Sequence, residues 1–106
     1  MTTLAKGMIS AANTMQSFWT VPDGTSPSIN ISLCNTSDAP VTVSIAIHSA
    51  VPTLGDHIEY KFPLGPAGTE ENTLERTGIA PSPRMQIWLS CSVANAVAGH
   101  IHGFEA

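Results

Sequence analysis

The chain has 106 residues, 42% of them hydrophobic, which suits one domain built around one core. Only 11% are charged, less than half the usual share of about 25%, and the formal net charge is −4. Its few cations (Lys6, Lys61, Arg76 and Arg84) form no basic stripe, which excludes nucleic acid and acidic membrane surfaces as partners.

Residues 1–16 are rich in Thr, Ala and Asn and have a weak strand beat. They are expected to be either an edge strand over 4–10 followed by a turn, or an arm that orders against a neighbour. On the second reading, removing residues 1–12 spares the fold and impairs assembly. Residues 17–21 (SFWTV) read as a short aromatic strand. VPDGT supplies the next turn, with Pro22 presetting its φ and Gly24 free to take a positive one. In SINISL, Ile29, Ile31 and Leu33 share a face. In VTVSIAIH, Val41, Val43, Ile45 and Ile47 point one way while Thr42, Ser44, Ala46 and His48 point the other. These two strands, 28–34 and 41–48, are expected to pair antiparallel across NTSDAP.

After a loop over 49–56, residues 57–62 alternate Ile58, Tyr60 and Phe62 against His57, Glu59 and Lys61, which places Glu59 and Lys61 outward. A loop over 63–72 leads to a strand at 73–77. The proline-marked turn GIAPSP separates it from 84–91, where Met85, Ile87 and Leu89 share a face and Trp88 lies opposite, either exposed as a patch for binding or packed in a second buried layer. The last strand, 96–104, contains Gly99 and Gly103, which mark bulges or close backbone approach. About eight short strands with Gly, Pro, Asn and Asp punctuation predict an all-β chain. The fold class is a single antiparallel β-sandwich, jelly-roll or immunoglobulin-like, spanning residues 1–106.

Ser, Thr and Asn take the place of the usual Lys and Glu coat, and charge depletion marks surface that ends inside an interface. Assembly with other copies is therefore expected. Residues 1–18 lack a charged segment followed by an apolar core, and no apolar stretch approaches the roughly 20 residues of a spanning helix, so the chain is expected in a cytoplasm. Cys34 and Cys91 fall on different strands. Reduced thiols are the default without export, and a Trp three residues before the second cysteine fits the immunoglobulin disulfide poorly.

Two histidines two apart on a strand, His100 and His102, project to one face. Such pairs bind zinc, copper or iron when a third ligand joins them, here His48, His57 or Glu105. The simpler reading is a pair of solvent-facing or interfacial imidazoles, and no metal or other cofactor is expected. Glu70, Glu71 and Glu75, with Asp56 and Glu59 elsewhere, lack the alternating spacing of a calcium loop and read as solvated carboxylates. No GxSxG elbow presents a nucleophile, and Cys91 has no local His to lower its pKa. No catalytic residue is expected.

The fragments VPDGT, INISLCN, HIEY, TLERTGI and HIHGFEA occur in this order. In them the chain resembles a family of small β-sandwich virion proteins of tailed bacteriophages and prophages. Those chains run from a VPxG turn through ICN and IEY strands to LERTG and a terminal GFE. The likeness covers residues 19–105, and the stretch PLGPAGTEENT before LERTG departs from it as a lengthened loop. The resemblance implies a non-enzymatic virion component without cofactors, whose partners are capsid or tail proteins and further copies of itself. A capsid decoration protein that clamps capsomers is the first expectation, and a neck, tail or baseplate accessory the second. A small metal- or carbohydrate-binding sandwich is the rival from another class. Contacts are expected at Leu4, Met8, Trp88, His100, His102 and Phe104, by strand addition at the N-terminal or C-terminal edge.

Overall fold

A computed structural model describes residues 2–104. The described residues form eight strands: β1 (Thr2–Met8), β2 (Gln16–Thr20), β3 (Ser28–Asn35), β4 (Val41–His48), β5 (His57–Leu64), β6 (Thr73–Ile79), β7 (Gln86–Cys91) and β8 (Val97–Phe104). One 3-10 turn, Leu54–Asp56, precedes β5. Two four-stranded antiparallel sheets face each other, one in the order β1-β8-β3-β6 and the other β2-β7-β4-β5. Below they are sheet A and sheet B.

This order is that of a chain folded as one long hairpin with its tip at β4 and β5, then rolled. β4 pairs β5, β3 pairs β6, β2 pairs β7 and β1 pairs β8; rolling adds the contacts β3·β8 and β4·β7. The result is the jelly roll, and it excludes the immunoglobulin arrangement, in which consecutive strands pair within a sheet. It also corrects the expected pairing of 28–34 with 41–48, because β3 and β4 lie in opposite sheets. Each strand has one apolar face, so a hairpin and a crossover bury it equally well. The corner after β3 is held by Asn35, which is fully buried. Its amide donates to the carbonyls of Ala39 and Gly65 at 2.8 and 2.9 Å and accepts from the Ser37 amide at 2.9 Å and hydroxyl at 2.8 Å. Those bonds turn 36–40 away from sheet A.

Between the sheets lie Ile29, Ile31 and Leu33 of β3, Val41, Val43 and Ile45 of β4, Ile87 and Leu89 of β7 and Val97 and Ile101 of β8. The period-2 pattern of the sequence is thus the core itself. Gly99 and Gly103 occupy inward positions on β8, whose register with β3 is unbroken. Close approach, not a bulge, is their reason. A Cβ on Gly99 would meet Leu89 and Phe18 at 3.0 and 3.1 Å, and one on Gly103 would overlap the Ser28 carbonyl oxygen.

Register irregularities fall in the four ladders made by edge strands, whereas the central ladders β3·β8 and β4·β7 run without a break. A bulge bends and twists the edge strand that carries it. In β5 the bulge also inverts the expected faces. Lys61 takes a positive φ of 51°, and Glu59, opposite the buried Ile45, points between the sheets, while Ile58 and Tyr60 are exposed. After the bulge Phe62 and Leu64 return to the core. Arg76 of β6, opposite the buried Ile31, also points inward and pairs with Glu59, its guanidinium 5.5 Å from the centre of the Phe62 ring. This ion pair closes the side of the sandwich where β5 and β6 meet.

The first segment is an edge strand and not a free arm. β1 pairs with β8, and Ile9 just beyond it is fully buried in the core. This argues against residues 1–12 being dispensable for folding, since their removal would strip the outer strand of sheet A and open the core at Ile9. Both cysteines are free, Cys91 inside the sandwich on β7 and Cys34 half-buried on β3 of the other sheet.

Candidate functional site

The solvent-facing side of sheet A carries the histidine pair. His100 and His102 stack with ring centroids 5.7 Å apart and planes 10° from parallel, and the Thr3 hydroxyl lies 3.3 Å from His102 Nδ1. Across the sheet His100 sits between Lys6 of β1 and Ser32 of β3. His48 and His57, the suggested third ligands, stand on β4 and β5 of sheet B, so the topology separates them from the pair. Glu105 lies outside the described residues. Among the described residues no group of three or more His, Cys, Asp or Glu is placed to hold a metal ion.

The suggested contact residues divide between two sheets. Leu4 packs partly against the core and, with Thr2, Thr3, Gly103 and Phe104, lines a depression of about 440 Å³ where β1 meets β8. Phe104 is 59% exposed, and Met8 is exposed near the other end of β1. Trp88 lies apart from these on sheet B, half-buried, its indole N–H donating to the His48 carbonyl at 3.1 Å. Of the carboxylates, Glu59 pairs with Arg76 and Asp23 with Arg84. Asp56 accepts from the Thr53 amide at 2.8 Å and hydroxyl at 3.0 Å. The Thr53 amide, more than the Thr53 hydroxyl or the nearby His48 and His57, holds its carboxyl below the ordinary range against the opposing effect of desolvation.

A second feature lies on the solvent-facing side of sheet B. There Ser44 of β4 stands directly opposite Ser90 of β7, with Thr42 and Ser92 beside them. These short side chains on the two central strands make a floor. The bulge in β5 lifts Tyr60 and Lys61 above it on one side, and the segment after Ile9 brings Asn13 and Met15 along the other, fixed by the Asn13 amide donating to the Cys91 carbonyl at 2.8 Å. The concavity between them measures about 450 Å³, within the ~300–1,000 Å³ range of small-molecule sites.

Its hydroxyls are organised. Ser44 Oγ accepts from the Lys61 amide at 3.0 Å, which pins the bulge, and Ser92 Oγ accepts from the Thr42 amide at 3.0 Å. Each keeps its own O–H to donate. His57 meets the Tyr60 ring edge to face, centroids 5.0 Å apart, and the Lys61 ammonium lies 5.4 Å from the Tyr60 centroid. Sequence reasoning did not assign Thr42, Ser44, Ser90 and Ser92 to a site. Alternation puts Thr42 and Ser44 outward, but that β4 and β7 are neighbours is a fact of topology.

No protein family, curated protein or solved structure matches the chain.

Proposed function

We propose that the chain is a non-enzymatic structural protein of a tailed-bacteriophage virion, a capsid decoration protein that assembles in the host cytoplasm and caps neighbouring capsomers. The observation that carries this reading is the charge of its two broad faces. The four central strands, β3, β8, β4 and β7, contain no Asp, Glu, Lys or Arg. The outward Ser, Thr, Asn, His and Trp side chains of these strands are wet enough to keep the chain soluble before assembly and carry no fixed charge to desolvate once covered; the charges flanking them, Lys6, Lys61 and Glu75 among them, stand on the edge strands.

The jelly roll supports the reading by analogy only, since this fold serves viral capsid and lectin domains alike. The resemblance through VPDGT, INISLCN, HIEY, TLERTGI and HIHGFEA points the same way. Contacts with capsid proteins and with further copies would form at the β1 edge, flanked by Leu4, Met8 and Phe104, where a partner strand can add. A closed homo-oligomer is the expected arrangement. A neck, tail or baseplate accessory is the second placement, because every feature named here suits it equally.

Gold-labelled antibody against the purified chain, applied to virions of the phage whose genome encodes it, tests the proposal. Label spread over heads is the expected result. Label confined to tails moves the protein to the accessory class, and virions free of the protein overturn the structural role.

A further inference from the structure

The hydroxyl-floored concavity of sheet B is more than a gap between side chains, and we propose that it is a saccharide-binding site. A sugar ring presents alternating hydroxyl donors and acceptors around an apolar C–H face. Its complement is a dense set of short hydroxyl and amide groups beside an aromatic ring, and the concavity holds that set.

Ser44 and Ser92 each spend an acceptor site on a backbone amide and retain a hydroxyl proton to give. The Thr42 and Ser90 hydroxyls and the Asn13 carboxamide line the same floor and wall, adding groups that both donate and accept. Tyr60, 53% exposed, stands beside the β5 bulge with the His57 ring edge to face against it and the Lys61 ammonium 5.4 Å from its centre.

Other ligand classes fit less well. The lining carries one permanent cation, Lys61, and one imidazole, His57, both already placed against the Tyr60 ring, so a phosphate finds no second permanent charge. An extended peptide needs a free strand edge, whereas this floor is the face of paired strands. A small apolar ligand would leave the serine hydroxyls covered and unpaired, which is costly. The concavity offers the same chemistry whether or not the chain resides in a virion.

Titration of the full chain with glucose, galactose, mannose and N-acetylglucosamine, followed by 15N–1H correlation spectra, tests the site. Inorganic phosphate and a short peptide serve as controls. At least one sugar should shift the amides of Ser44, Tyr60, Lys61 and Ser90 saturably and leave those of His100 and His102 in place. Tyr60→Ala, at an exposed position, should weaken that sugar about tenfold with the spectrum still dispersed. Ser90→Val keeps strand propensity and should weaken it as well. The proposal is overturned if no sugar in the set gives saturable shifts, if phosphate or the peptide reproduces them, or if both variants bind as the wild type does.

Discussion

Replacing Asn35 by alanine should reveal how much of the fold hangs on one buried amide. The side chain is fully buried and uses both donors and both acceptor sites: Ala39 and Gly65 carbonyls on one side, the Ser37 amide and hydroxyl on the other. A net hydrogen bond contributes about 1 kcal/mol, so the set is worth roughly 4 kcal/mol. With Asn35 gone, the single Ser37 hydroxyl proton can turn to the Ala39 carbonyl, 3.0 Å from Ser37 Oγ, so that acceptor regains a partner and the estimate falls to about 3 kcal/mol. For a domain of this size each kcal/mol moves the melting point by about 4–8 °C, giving a drop of about 12–24 °C. Asn35→Asp should be worse despite its equal size, because an anionic oxygen would replace the amide nitrogen facing two carbonyls, with no cation in the corner. Urea unfolding followed by Trp19 and Trp88 fluorescence measures both, with the slope checked for two-state behaviour. An Asn35→Ala loss below about 1 kcal/mol, or an aspartate variant as stable as wild type, would refute the role given to this residue in holding the corner between β3 and β4.

Ile45→Asp should abolish folding, since Ile45 is fully buried on a central strand and a carboxylate there has no counter-charge; a dispersed NMR spectrum from this variant would show the inward face to be wrongly assigned. Deleting residues 1–12 should likewise give an unfolded or aggregating product, because Ile9 and the strand covering β8 are lost; circular dichroism and gel filtration decide it. Gly103→Ala should cost about 1–3 kcal/mol by urea titration, as its Cβ would press on the Ser28 carbonyl and Ile29 Cα; unchanged stability would contradict the close approach of β8 and β3. For Asp56, the folded carboxyl pKa lies below its unfolded value, so its stabilising contribution is complete above the ordinary range and is lost as the pH falls through the lowered value. Carboxyl-carbon NMR should place its midpoint under 3.8, the ordinary aspartate value, and a midpoint at or above it would count against the Thr53 cap.

Much of this protein is readable along the chain. Ile29, Ile31 and Leu33, and Val41, Val43 and Ile45, declare inward faces by period alone, because a strand turns successive side chains to opposite sides. Strand number and class follow from those runs and the turn residues between them. The absence of charge from β3, β4, β7 and β8 is likewise a property of composition along the strands. Three things belong to the tertiary structure. Which strands neighbour which is set by non-local pairing, and the corner after β3 is held by Asn35, a polar residue whose burial no pattern announces. The inverted faces of Glu59 and Tyr60 arise from a bulge that depends on Ser44 reaching across to the Lys61 amide. The hydroxyl floor exists because rolling the chain sets Ser44 against Ser90, residues on strands far apart in sequence. Local period fixes which way a side chain points, and long-range pairing alone fixes what it points toward.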